Sequence, residues 1–341
     1  MTRLQRRFTG ALLLGGLLTL LIPVAARTQG PSKMPWKIAF MRDKNIWLMN
    51  GDGSNQKQWK PTGNVAGKMS FSPDGRILAW SRQGEFTYKL PDGGGGGRRL
   101  YDIFQAEIDS TREAYWRWVT FNHGSRSPEF SPDGKRLLYS YDMSSNTVDA
   151  ELPDFQIVHS LLDGSDMVKL ARAGSKPGEC QGMEPVWSPD GKSVAFTYFQ
   201  RRANIGDGSR ESPTKPIGLV VVPATGITAS EEELDAQARL HADAGAPAWS
   251  PDGRWIAFVS TKTTDGGIYV VSPDLTKRNK ILEKSDRMTP AQAPVSWTPD
   301  SQWIAFATVD GFIYLVAADG SGKTQRITSG GNDYMPTVSR R

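Results

Sequence analysis

The chain is punctuated by short apolar runs rather than long amphipathic stretches. Ile77-Leu-Ala-Trp80, Leu137-Leu-Tyr139, Val194-Ala-Phe196, Ile256-Ala-Phe258 and Ile304-Ala-Phe306 each span three or four residues and each follows a polar turn. Such runs lack the polar alternation of a half-buried strand and are too short for helices, so they predict strands covered on both faces. Further apolar runs follow, clearest at Ile217 to Val222, Ile268 to Val271 and Ile313 to Val316. Polar turns such as Asp319-Gly-Ser-Gly322 then lead to short segments such as Gln325-Arg-Ile-Thr328.

The turn ahead of each first run is one motif in five copies, and an internal repeat of this kind outweighs any local assignment. It reads Phe71-Ser-Pro-Asp-Gly, Phe130-Ser-Pro-Asp-Gly, Trp187-Ser-Pro-Asp-Gly, Trp249-Ser-Pro-Asp-Gly and Trp297-Thr-Pro-Asp-Ser. Its aspartates, Asp74, Asp133, Asp190, Asp252 and Asp300, are 59, 57, 62 and 48 positions apart. Proline presets the first central φ, aspartate bonds back to nearby N–H groups, and glycine takes a conformation other residues resist. Each interval holds four short strands, which is the blade of a propeller.

The two ends supply a sixth blade. Pro336-Thr-Val-Ser339 aligns with Pro185-Val-Trp-Ser188, while Trp36-Lys-Ile-Ala-Phe40 and Ile46 to Met49 supply the strands that should come next. The expected fold is all-β: a six-bladed β-propeller closed by pairing of the C-terminal strand with the N-terminal strands. Closure removes long exposed sheet edges, which favours a ring over an open array.

The repeat, above all Ile313-Tyr-Leu-Val-Ala-Ala-Asp-Gly-Ser-Gly-Lys-Thr-Gln-Arg-Ile-Thr328, resembles that of the TolB-like propeller family across nearly all of the chain. The resemblance implies an envelope setting. The family's namesake carries an additional domain ahead of its propeller, whereas only about eight residues, 27–34, separate the expected processing site here from Pro35. A free-standing propeller over 35–341 is therefore expected.

Residues 1–26 have the pattern of an export signal: Arg3, Arg6 and Arg7, then apolar Ala11 to Val24, then Ala25-Ala26 before a cut at Arg27. The apolar stretch is shorter than the ~20 residues a spanning helix needs, so no stable membrane span is expected after cleavage. The general and twin-arginine routes both remain open. The formal charge of +5 includes those three arginines, so the mature chain carries about +2. That leaves no electrostatic footprint for nucleic acid. Cys180 is the single cysteine, which excludes an internal disulfide.

Function is sought first on one face. Loops from second to third strands and from fourth to next first strands share a side, opposite the Ser-Pro-Asp-Gly turns, and long loops on a rigid scaffold carry binding. Three are long: Tyr141 to Pro153, which includes Asp142; Tyr198 to Pro216, which includes Arg201, Arg202, Arg210 and Lys215; and Phe104 to Ser127. Tyr115-Trp116-Arg117-Trp118 reads either as an aromatic platform for a sugar or peptide, or as an extra strand whose rings pack on an adjacent blade. Lys68, Arg126, Glu184, Asp333 and Tyr334, placed just before the first strands, are expected to ring the channel entrance.

Other features read as structure. Gly93 to Gly97 is taken as a turn between third and fourth strands, and Ser230-Glu-Glu-Glu233 as a capping box opening a short helix. Asn50 to Asn55 lacks the terminal glutamate of a calcium loop. No Gly-x-Ser-x-Gly elbow is present, and His123, His159 and His241 fall in different blades, the last two within expected strands, so their spacing yields no triad or metal pair. No metal or cofactor is expected. The resulting expectation is a non-catalytic, exported interaction module with a protein or peptide partner; the alternative is a carbohydrate-binding or carbohydrate-active propeller recognising a polysaccharide.

Overall fold

The computed structural model describes residues 36–60, 62–89, 95–110, 116–142, 155–171, 180–200, 216–242, 244–260, 265–284 and 294–341. The expected export signal and linker lie outside these residues, as do Tyr115, Arg201, Arg202, Arg210 and Lys215.

Among the described residues, twenty-three strands form six antiparallel sheets. The first blade is β23 (Asp333–Val338), β1 (Lys37–Arg42), β2 (Asn45–Asn50) and β3 (Lys57–Lys60), so the last strand of the chain is the innermost strand of its first blade. The second is β4 (Val65–Phe71), β5 (Ile77–Lys89), β6 (Gly95–Glu107) and β7 (Arg117–Trp118); the third is β8 (Ser125–Phe130), β9 (Arg136–Asp142), β10 (Phe155–Leu161) and β11 (Val168–Lys169). The fourth has β12 (Cys180–Trp187), β13 (Ser193–Gln200) and β14 (Pro216–Pro223). The fifth is β15 (Ala244–Trp249), β16 (Ile256–Ser260), β17 (Gly267–Val271) and β18 (Arg278–Glu283), and the sixth is β19 (Ser296–Trp297), β20 (Trp303–Ala307), β21 (Ile313–Ala317) and β22 (Thr324–Arg326).

The apolar runs are buried on both faces because each blade is sandwiched by its neighbours. Leu137 and Tyr139 pack with Ala79 and Ile103 of the second blade, while Leu138 between them packs with Trp187 and Val194 of the fourth. The same alternation joins every adjacent pair, and Trp303 and Ile313 meet Trp36 and Ile38 where the ring closes.

The repeated turns are stapled as their chemistry requires. Ser131 donates to Asp133 at 2.6 Å and accepts from the Arg136 N–H at 2.9 Å, while Asp133 accepts from the Lys135 N–H at 3.1 Å. Gly134 follows at φ 71°. The turns at Asp74, Asp190 and Asp252 repeat this, and in the fifth copy Ser301 adopts φ 58°.

A second repeated device is hidden in the first strands. Opposite a buried aromatic of the second strand, Phe40, Trp80, Tyr139, Phe196 or Phe258, the first strand bulges. Each bulge holds a residue with positive φ: Met335, Gly67, Ser127, Glu184 or Ala246, between 53° and 74°. In four of them proline comes next, where a bulge has no ladder bond to lose. The freed N–H groups of Ser127 and Ala246 donate to Ser81 and Thr197 of the preceding blade, both at 2.9 Å.

Three expectations are corrected. The glycine run lies between the second and third strands of its blade, with Gly95 to Gly97 inside β6, because β5 and β6 extend into a hairpin of 13 residues a side. The stretch from Phe104 to Ser127 accordingly takes in the end of β6, the fourth strand β7 and the start of β8, and is not one loop. His241 is no strand residue: it is the C-cap of α1 (Glu231–Leu240), whose Ser230 and Glu233 do form the expected capping box. This helix packs along β14, and Val221 N–H donates to Gln237 at 2.7 Å.

Candidate functional site

Each first strand runs from the long-loop face towards the motif turns, so first-strand side chains line the channel in order of depth. A cavity of about 70 Å³ is bordered by Lys68, Glu129, Val186, Ala248, Trp297 and Val338. That is far below the ~300–1,000 Å³ of a small-molecule pocket.

The expected mouth residues are not placed ahead of the first strands; they lie within them. Three share one electrostatic cluster. Lys68 donates to Glu129, both largely buried. Burial raises the Glu184 carboxyl above its ordinary range, opposed by the charges of Lys68 and Arg126 and by Thr197, whose hydroxyl lies 3.4 Å away. Burial lowers the Arg126 guanidinium, with Tyr101, Asp142 and Glu184 working against the shift. Arg126 sits 3.8 Å over the Phe155 ring and 5.1 Å over Tyr101. Its Nε is enclosed and has no hydrogen-bond partner.

Asp333 lies elsewhere. It is fully buried in a bidentate pair with Arg42, which raises the guanidinium, so it clasps the ring instead of facing a ligand. Tyr334 follows it on β23, paired with Met41 and half-buried. Asp142 ends β9, where its N–H donates to Gly124 O at 3.0 Å.

The aromatic stretch divides. Trp116 packs into its own blade, 5.8 Å from Trp80 and 5.9 Å from Phe104, with Arg82 over its ring. Trp118, on the edge strand β7, stacks on Phe104 at 5.4 Å and 20° and remains 43% exposed. Phe121, in the connection towards β8, lies 4.8 Å from Trp118 and is 67% exposed. Together they form an exposed aromatic step that runs from the outer edge strand of the second blade into the β7–β8 connection on the long-loop side.

Sequence reasoning missed Phe121 and also a histidine held by a carboxylate. His123 Nδ1 lies 2.8 Å from Asp102, which also accepts from the His123 N–H at 3.0 Å and from Thr120 at 3.2 Å. This fixes the imidazole as a base or ligand would be fixed. No group of three metal-ligating side chains is present among the described residues, and Ser125 directs its hydroxyl to Asn122 at 2.7 Å. The signal for the pair was absent because Asp102 lies on β6, 21 positions from His123 and outside the stretches the sequence singled out.

No protein-family model matches the chain. The uncharacterized peptidase YuxL of Bacillus subtilis is 24% identical over 223 residues, 64% of this chain and 25% of that protein; the chain thus spans about a quarter of this relative's length. Among solved structures, TolB from Acinetobacter baumannii superposes with a TM-score of 0.58 at 16% identity, covering 89% of this chain and 66% of that one. A chain of the nidogen/laminin complex gives 0.56 at 12%, covering 89% and 98%. Fold and site geometry define a six-bladed β-propeller with a narrow, charged channel. Its architecture is that of the TolB-like propellers.

Proposed function

We propose that the chain is an exported, non-catalytic propeller whose long-loop face binds a protein or peptide partner. The observation that carries this is the Trp118 and Phe121 step, since exposed aromatics on a rigid support are what interface centres are built from. The narrow channel and the pairing of Lys68 with Glu129 leave little room there for substrate chemistry. The nidogen/laminin propeller belongs to a complex, which fits a binding role for this fold. Export rests on the pattern of residues 1–26, and among the described residues no helix is long and apolar enough to cross a membrane.

The chain from Arg27 to Arg341, immobilised, should retain a discrete protein from the envelope fraction of the producing organism. Phe121→Ser with Trp118→Gln should release it while the fold, followed by circular dichroism, stays intact. A partner retained equally by the variant would sink the proposal.

One feature favours carbohydrate as a second reading: Trp118 stacks flat on Phe104 and keeps part of its ring open, as a sugar platform does. Quenching of tryptophan fluorescence by oligosaccharides, lost on Trp118→Gln, with no protein retained, would favour it.

A further inference from the structure

The five bulged blades are an internal control for what the scaffold requires. A bulge needs a residue that tolerates positive φ, and Gly67, Ser127, Ala246 and Met335 meet that need without a charge. Glu184 occupies the same place with an ionisable side chain. Arg126 directly precedes its bulge, where the first, fourth and fifth blades have Tyr334, Met183 and Gly245. The matching hydroxyl beside the Glu184 bulge, Ser140, has no hydrogen-bond partner, unlike Ser81 and Thr197. Neither Arg126 nor Glu184 is demanded by the fold.

Arg126 is also the unpaired member of the cluster. Lys68 has Glu129, and Glu184 is within reach of Thr197. Among the described residues Arg126 has two aromatic rings and the fields of Asp142 and Glu184, with no ion pair or hydrogen bond to its N–H groups. Burial favours the neutral form of Glu184, which weakens it as a standing counter-ion. A planar guanidinium with free in-plane donors matches a carboxylate in bidentate fashion.

We propose that Arg126 anchors a carboxylate of the peptide partner at the long-loop end of the central channel. This rests on the partner-binding function proposed above. A peptide carboxylate suits the site better than a uronic acid, because the rings of Phe155 and Tyr101 are engaged by the guanidinium and not free to stack on a sugar.

The test is a titration of the ¹⁵N-labelled mature chain, following the Arg126 Nε–H signal identified by its loss in Arg126→Gln. The probes are acetyl-trialanine with a free C-terminus, its C-terminal amide, digalacturonate and inorganic phosphate. The free acid should shift the signal saturably, with the amide about tenfold weaker or more, a difference of ~1.4 kcal/mol. Arg126→Lys, which keeps the charge and loses the fork, should weaken binding of the acid. An equal shift by phosphate, or a shift by digalacturonate alone, would overturn the proposal. So would silence to all four probes in a chain whose other amide signals remain those of the folded protein, and that result would leave the Trp118 and Phe121 face to its own retention assay.

Discussion

Arg42 and Asp333, 291 positions apart, form the pair that locks the ring: Nε donates to Oδ1 at 2.5 Å and Nη2 to Oδ2 at 2.9 Å. Asp333 is buried completely, and Arg42 also covers Trp47 at 4.5 Å. The pair sits beside the β1–β23 ladder, where Arg42 opposes Asp333 in register. Removing one partner strands the other charge, so Asp333→Ala should cost roughly 3–5 kcal/mol. A urea midpoint unchanged from wild type would contradict this.

Gly218 is where helix α1 meets β14. A Cβ there would lie 2.0 Å from Ala238 O and 2.7 Å from His241 O, and backbone cannot step aside as a flexible side chain can. Gly218→Ala should therefore push α1 away and cost about 1–3 kcal/mol, the usual range for overpacking. Hydrogen exchange should show the loss at Val221 N–H, which donates to Gln237 on that helix. Unchanged protection at Val221 would refute the contact.

The turn aspartates set an acid limb. Asp74, Asp133 and Asp190 are held below the ordinary carboxylate range, first by the serine hydroxyl two residues earlier and then by a backbone N–H. Asp274, held first by Ser272, is lowered to about 2. A carboxyl depressed in the folded state stabilises above its unfolded value and loses that contribution as pH falls through the folded one. Thermal stability should hold down to about pH 4 and then decline towards pH 2. The triple change of Asp74, Asp133 and Asp190 to Asn should flatten that decline, and a wild-type curve flat over this window would contradict the assignment.

Glu184 has the opposite sign. Its folded carboxyl is raised by burial, so the protonated form carries the stability, which is present below the unfolded value and lost as pH rises through the folded one. Glu184→Gln should match wild type near pH 4 and exceed it at pH 8, while the Lys68 and Glu129 pair stays in place. Equal stability of the two proteins at both pH values would show that Glu184 is not desolvated. A scaffold that gives up stability at one channel position is consistent with a site selected for binding.

The sequence made the fold legible because one turn chemistry recurs. Ser131 and Asp133 do what serine and aspartate do at such a turn, and Pro336 to Ser339 announced the closing strand. What it concealed depended on long-range register. The register of β6 sets Asp102 beside His123, 21 positions further on, and the clasp between Arg42 and Asp333 joins residues that nothing local connects. Lys68, Arg126 and Glu184 were foreseen near the channel, yet only the bulges explain how they come together, since a positive φ in mid-strand leaves no sequence mark except the following proline. Trp116 and Trp118, two positions apart, part company because Trp116, just ahead of β7, packs against Trp80 while Trp118 lies on the edge strand itself.

Site-specific photo-crosslinking in the producing cells tests the central claim most directly. A benzophenone side chain at Phe121, on the long-loop face, should capture one discrete protein, and the same group at exposed Lys135, on the motif-turn face, should capture none. Capture from position 135 alone, or from neither position, would contradict a partner on the long-loop face.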